Sequence, residues 1–321
     1  MATTGVPSRK ENVLIRAGDC SVTLLPQFGG KIASIRFRNH ELLQSPLSSI
    51  SPRTRAMAFD QGDASGWDEC LPSVAACSVD TAGKPEGTAQ IPDHGDLWRV
   101  AWNVIHHDSD SVTLAGACFS LPLTLERRVS LAHTAEGVRL SFGYKLTNTG
   151  DAPVPWSWAA HPLFTAALGD RIVLPDSVHT LRLEGSGGNR LGVNGDEKQW
   201  PIAEKSDGTN TDLSWVEAPD SGIGDKLFAG PLSAGNGWCA LERPTAGVRI
   251  LVTFNPDATP YLGLWICYGG WPERPGPKQV CVALEPSTAP VDSLALKGPW
   301  SRTLAAGESF LWPMQVDFEI M

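Results

Sequence analysis

The chain has 321 residues, a formal net charge of −9, and no run of basic residues longer than Arg127-Arg128. That balance disfavours nucleic acid and anionic membrane surfaces, which are recognised through clustered Lys and Arg. A composition that is 42 % hydrophobic and 19 % charged supports a large buried core, and no apolar stretch is long enough to span a bilayer.

Met1 to Asn12 is polar and lacks the apolar centre of a secretion leader. It reads as a flexible segment in front of one domain that occupies the rest of residues 1–321. The seven Cys are odd in number and show no CxxC spacing. Cys118, Cys267 and Cys281 lie inside apolar runs, where a thiol behaves as a small hydrophobe. The expectation is reduced cysteines and a cytoplasmic setting. Twelve Trp against three Tyr is a Trp-rich balance, and 32 Gly with 25 Pro imply many turns. Most of the Trp are expected in the core, and a few are suited to stacking on the C–H face of a sugar.

In chain order, Leu25-Pro26-Gln27-Phe28-Gly29-Gly30-Lys31-Ile32 carries paired glycines. Gly66-Trp67-Asp68-Glu69-Cys70-Leu71-Pro72 sets an aromatic beside two carboxylates. In Ile91-Pro92-Asp93-His94-Gly95-Asp96-Leu97-Trp98, His94 sits in a turn. Loop histidines on a rigid sheet are frequently functional. Trp98, Val100, Trp102 and Val104 alternate as in a strand, which His106 to Ser111 turns back into Val112-Thr113-Leu114. Leu123, Leu125, Val129 and Leu131 precede Val138, Leu140, Phe142, Tyr144 and Leu146, with Ala135-Glu136-Gly137 as the turn of a hairpin. Gly185 to Asn210 is polar and Gly-rich and reads as a surface excursion. Strand patterns recur at Val248 to Phe254, at Leu262 to Ile266, and at the terminal Trp312 to Ile320. Short strands with regular Gly/Pro/Asn/Asp punctuation predict an all-β sandwich of mostly antiparallel strands.

Two ionisable residues stand out. His161 ends the run Trp156-Ser157-Trp158-Ala159-Ala160-His161, and Glu285 ends Val280-Cys281-Val282-Ala283-Leu284-Glu285. Pro follows each at once, so strand pairing is expected to stop there. A charged side chain at a strand mouth can face a cleft, where burial shifts its pKa toward neutrality. An acid and a base of that kind can move protons in concert. The motifs GxGxxG, HExxH and the P-loop are absent. In His106-His107-Asp108, adjacent strand residues face opposite ways, which argues against a metal site. No metal and no cofactor are expected.

Four segments, in this order, resemble the galactose mutarotase-like (aldose 1-epimerase) superfamily. They are Leu25 to Ile32, Pro92 to Gly95, Leu140 to His161 with its Thr147-Asn148-Thr149-Gly150 turn, and Ala283-Leu284-Glu285-Pro286 with the Pro290-Val291-Asp292 turn behind it. The resemblance runs from about Gly29 to Met321. It implies a galactose mutarotase-like β-supersandwich and cofactor-free interconversion of the α and β anomers of a hexose. By the same resemblance Glu285 corresponds to the general base, His161 to the general acid, and His94 to a second active-site histidine. The chain departs from the pattern in lacking an Asn-Arg pair near the first His-Gly segment, and Ala160 stands where those enzymes often have Asn.

Substrate contacts are expected from Trp67, Asp68, Trp98 and Trp265, and from Asp225 and Lys226 at a position that resembles a sugar-hydroxyl contact. The expected partner is a monosaccharide, with the protein a monomer or homodimer. Three alternatives differ in their requirements. A silent carbohydrate-binding protein needs the fold alone. A phosphosugar (hexose-6-phosphate) 1-epimerase needs cations over the pocket, for which Arg53, Arg55, Arg99 and Arg274 are the candidates. A glycoside hydrolase needs a second carboxylate, Asp68 or Asp93, beside Glu285.

Overall fold

A computed structural model describes residues 12–81 and 87–321. The expected flexible segment, apart from Asn12, lies outside the described residues. The predicted all-β class holds, with two large antiparallel sheets enclosing the core.

The first sheet has eleven strands. Its path runs Val13–Ala17, Cys20–Leu25, Lys31–Phe37, Trp67–Cys70, Ala159–Thr165, Val280–Ser287, Tyr261–Tyr268, Ile223–Ala229, Thr180–Ser186, Glu197–Gln199, with His40–Glu41 paired to Lys31–Phe37. The second has eight, in the order Arg171–Val173, Trp238–Arg243, Val248–Phe254, Ser309–Ile320, Gly137–Asn148, Leu123–His133, Ser111–Ala117, Asn103–His107.

The two sheets bury their strands differently, and the sequence pattern follows that difference. Strands of the second sheet alternate, as in Leu123–His133 and Gly137–Asn148, because one face packs on the core and the other meets water. The predicted hairpin between them forms, with Leu125 opposite Leu146 and Val129 opposite Phe142. Central strands of the first sheet are buried on both faces: all seven residues of Ile223–Ala229 are buried, as are six of the seven in Ala159–Thr165. One face meets the second sheet. The other lies under loops carrying Phe59, Trp98 and Trp271, and the candidate site opens there.

Between the sheets, Trp67 packs on Phe142 with ring centroids 4.7 Å apart, and Tyr144 stacks on Trp312 at 5.0 Å. A buried ion pair crosses this layer. Arg127 Nη1 lies 2.9 Å from Glu69 Oε1, while Tyr144 Oη (3.1 Å) and Trp158 Nε1 (2.8 Å) also donate to that carboxylate. Every oxygen of Glu69 is thus occupied, as a buried charge requires.

Four expectations need correction. Trp98 to Val104 does not form one strand: Leu97–Arg99 is a 3-10 turn and the strand is confined to Asn103–His107. Side-chain anchors override the alternation here, since Arg99 donates to the carbonyls of Met57 and Asp93 and Trp102 Nε1 to that of Leu97. The prolines do not end their strands either. The His161 strand continues through Pro162 to Thr165, and the Glu285 strand through Pro286 to Ser287. Instead the ladder between them lapses locally, from Ala159 opposite Ser287 to Leu163 opposite Ala283. Gly185 to Asn210 is more than an excursion, because Glu197–Gln199 extends the first sheet as its edge. Six Trp are buried (Trp67, Trp98, Trp102, Trp156, Trp158 and Trp312), half of the twelve rather than most.

Candidate functional site

Register assembles the site. On the loop-covered face of the first sheet, a row of residues crosses adjacent strands. Asp68 is opposite His161. His161 falls opposite Glu285, in the gap between the Ala159–Ser287 and Leu163–Ala283 pairs. Glu285 is opposite Gly263, and Gly263 opposite Phe228. One pleat along, Lys226 is opposite Trp265. Residues two apart on a strand share a face, so Glu285, Lys226, Trp265 and His161 project to the same side.

Gly263 gives Glu285 its room. A Cβ there would sit 3.1 Å from Glu285 Oε2 and 3.1 Å from Phe228 Cε1. Lys226 reaches across this bare position and donates to Glu285 Oε2. The other carboxylate oxygen, Oε1, lies 4.0 Å from His161 Nε2. Glu285 Oε1 and His161 Nδ1 are buried and have no hydrogen-bond partner.

Burial and charge set the proton affinities. Desolvation raises the Glu285 carboxyl above its ordinary value, against the opposing pull of the Lys226 ammonium. Burial works to lower Lys226, but Glu285 and Asp292 outweigh it and the ammonium is stabilised. His161 is held well below the ordinary imidazole value, first by burial and then by the positive charges of His94, Lys226 and Lys31. Glu285 therefore holds a proton more tightly than an ordinary carboxyl, and His161 holds one less tightly than an ordinary imidazole.

His94 enters from the loop above. Its backbone is in the left-handed region at φ 57, and its N–H donates to Val74 O at 2.5 Å. Gly95 follows at φ 67, where a Cβ would approach Leu71 O to 2.2 Å, so only glycine permits that contact. The His94 ring stacks on Phe59 with centroids 3.8 Å apart and stands edge-on to His161 at 5.1 Å. Asp93 Oδ2 is 2.9 Å from His94 Nδ1, close in distance although poorly aligned for a hydrogen bond. Burial alone would raise the Asp93 carboxyl; His94 and Arg99 outweigh it and hold the carboxyl below its ordinary value.

These groups line an open cleft of about 460 Å³. His161, Glu285, Lys226 and Trp265 face it from the sheet, His94, Phe59 and Trp271 from the loops, and Asp292 from the side. Gln279 fixes Trp265 by accepting from its indole N–H at 3.0 Å and donating to Ala64 O at 3.0 Å. Asp60 and Arg274 stand at the mouth. That volume lies in the range of small-molecule sites.

Of the expected site residues, Glu285, His161, His94, Lys226 and Trp265 converge here. Trp67, Asp68, Trp98 and Asp225 do not line the cleft. Trp67 points into the core between the sheets. Asp68 is held by Lys31 at 2.6 Å, beside Arg53. Trp98 lies beneath Phe59 at 5.2 Å. Asp225 alternates with Lys226 onto the opposite face, where Ser186 donates to it at 2.5 Å and Arg190 pairs with it. The pleat turns Trp67 and Asp225 to the far face of the sheet, while ion pairing and ring packing under the loops hold Asp68 and Trp98.

Phe59, Trp271, Gln279, Gly263 and the cleft-lining role of Asp292 were missed. Gly263 carried a signal, since a glycine inside an apolar strand marks a close approach. Phe59 and Trp271 carried none, because their loops have no periodicity. Among the described residues His106 pairs with Asp108, at 2.6 Å on an exposed edge, and no group of three or more His, Cys, Asp or Glu is arranged to hold a metal.

Neither a protein-family model nor a curated protein matches the chain in sequence. Solved structures do match it in shape. The Slr1438 protein of Synechocystis sp. PCC 6803 superposes with a TM-score of 0.69 at 17 % identity, covering 100 % of both chains. A galactose mutarotase related enzyme from Lactobacillus acidophilus gives 0.68 at 15 %, covering 97 % of this chain and 100 % of that one. A GalM/aldose epimerase homologue from C. elegans gives 0.62 at 14 %, covering 97 % and 99 %. At such identities the likeness speaks for the fold, and this chain therefore has the galactose mutarotase-like fold along almost its whole length.

Proposed function

We propose that the protein is an aldose 1-epimerase (mutarotase)-like isomerase that interconverts the α and β anomers of a hexose. The observation that carries this reading is the facing pair: His161 and Glu285 lie opposite each other on neighbouring strands, 4.0 Å apart, with unpartnered polar atoms in one cleft.

Anomer exchange needs a proton taken from the anomeric hydroxyl and another given to the ring oxygen. The C1–O5 bond breaks, the aldehyde rotates, and closure on its other face reverses both transfers. Glu285 takes the hydroxyl proton, with Lys226 fixing the carboxylate and limiting the cost of its charge. His161, charged when it acts, donates to the ring oxygen. Depression of its pKa makes that charged form scarce but a stronger acid. Trp265 offers a partly buried aromatic face to the sugar ring. Each positioned proton carrier is expected to supply roughly 10²–10⁴-fold.

The phosphosugar alternative draws less support. Arg53 is bound to Asp63, Arg99 to backbone carbonyls, and Arg55 lies over Phe119. Of the four candidates only Arg274 lines the cleft, at its mouth against Asp60. The hydrolase alternative loses Asp68 to its ion pair with Lys31. Among the described residues no helix is long and apolar enough to cross a membrane. A cytoplasmic monomer or homodimer completes the proposal, in keeping with thiols that act as apolar filling.

NMR exchange between the anomers of D-glucose and D-galactose tests the reading. Acceleration by the native protein and its loss in Glu285→Gln are expected. A native protein that binds these sugars without accelerating exchange would establish a carbohydrate-binding protein instead.

A further inference from the structure

Four buried polar atoms on residues that line the cleft lack partners: Glu285 Oε1, His161 Nδ1, His94 Nδ1 and Asp292 Oδ1. A buried polar atom left unsatisfied is costly unless a ligand or water fills it. The proposed reaction gives roles to Glu285 and His161, and His94 Nδ1 has Asp93 Oδ2 at 2.9 Å, which leaves Asp292 unexplained.

Asp292 is held firmly. Its carbonyl accepts from Val74 N at 3.0 Å, Ala75 N at 2.8 Å and Ser73 Oγ at 3.0 Å. Its own N–H donates to Glu184 Oε1 at 3.2 Å. Backbone bonds therefore fix the main chain from which the carboxylate projects, and Oδ1 lies 3.9 Å from Lys226 Nζ. Lys226, bonded to Glu285 on its other side, stands between the base and Asp292. Acceptor and donor thus lie a few ångströms apart on the flank of the cleft, the spacing at which one sugar hydroxyl can donate to the carboxylate and accept from the ammonium.

We propose that Asp292, with Lys226, is the element that selects the substrate: Asp292 Oδ1 accepts from a ring hydroxyl away from C1. A carboxylate acceptor demands a hydroxyl donor and repels an anion, so the favoured class is an aldopyranose with that hydroxyl free, rather than a uronate or a sugar phosphorylated there. This specificity claim rests on the epimerase reading for its place in a reaction, but on binding alone for its test.

The experiment is ligand-observed NMR titration of the native protein, Asp292→Ala and Asp292→Asn. The probes are D-glucose and D-galactose with their monodeoxy analogues, with glucose 6-phosphate and glucuronate as the charged arm. The native protein is expected to bind one deoxy analogue of its preferred sugar about ten- to a hundredfold more weakly than the parent, the range of a hydrogen bond to a charged group. Asp292→Ala should bind that analogue and the parent alike. Anion repulsion by Asp292 should weaken whichever charged sugar carries its group at that position. Equal binding of all analogues by the native protein overturns the proposal, and so does discrimination that survives in both variants. If Asp292 only props up Lys226, its loss weakens every sugar equally and the preference persists, which also overturns it. If Asp292→Ala does not fold, Asp292→Asn and the native analogue series still decide. Native binding with this preference but no anomer exchange would sink the epimerase reading and leave this inference standing. Exchange without the preference would do the reverse, and binding of neither glucose nor galactose would overturn both.

Discussion

Gly263→Ala is the sharpest perturbation of the site, because it adds one methyl group beside the proposed base. Gly263 is not among the residues with positive φ, so alanine can adopt its backbone. The new Cβ would stand 3.1 Å from Glu285 Oε2, 3.1 Å from Phe228 Cε1 and 3.3 Å from Glu285 Cβ. Non-bonded contacts are comfortable at about 3.5 Å and beyond. The carboxylate must therefore yield by roughly 0.4 Å, and the bulky ring of Phe228 blocks relief on the other side. Misplacing a reacting group by about 1 Å costs on the order of 10²-fold. In proportion, roughly 0.4 Å costs about sixfold in kcat/KM. Folding stability should move by less than about 1 kcal/mol, since losing glycine freedom in the unfolded chain offsets the crowding. The assay is NMR anomer exchange on whichever of glucose and galactose the native protein turns over faster, corrected for spontaneous exchange, alongside a denaturant melt. Gly143→Ala is the control, because a Cβ there meets nothing within 4 Å and lies in the other sheet. A native rate in Gly263→Ala, or an equal loss in Gly143→Ala, would refute the idea that this bare position sets the base.

Other tests reach different parts of the molecule. Exchange should be fastest on the acid side of the ordinary imidazole value. Glu285, raised by burial, must be ionised, so the rate falls as pH drops through its pKa; His161, depressed by burial, must be charged, so the rate falls as pH rises through its own. A kcat/KM profile from about pH 4 to about pH 8.5 checks this, and a plateau reaching past neutrality would move the donor role to His94 beside Asp93. Arg127→Met strands the buried Glu69 carboxylate and should cost about 3–5 kcal/mol in a denaturant melt; an unchanged midpoint contradicts the account of the core. Gly95→Ala forces a Cβ to within 2.2 Å of Leu71 O, so it should displace His94 and destabilise by at least about 1 kcal/mol. Retained activity and stability together would show the His94 turn to be tolerant.

Composition and alternation by themselves determined the all-β class, the Leu123–Asn148 hairpin and the terminal strand, because a pleat with one wet face writes its period directly into the residues. Resemblance of four short segments pointed to His161, Glu285 and His94. Sequence order could not decide which neighbours of those residues share their face. Asp68 and Trp98 turned to partners beneath the loops, and Trp67 and Asp225 fell on the far side of their strands, while Lys226 and Trp265 turned to the cleft. Nor could it place Phe59, Trp271 or Asp292, which reach the site from aperiodic loops. Those positions follow from cross-strand register and loop closure, and such contacts join residues far apart along the chain that no local pattern relates.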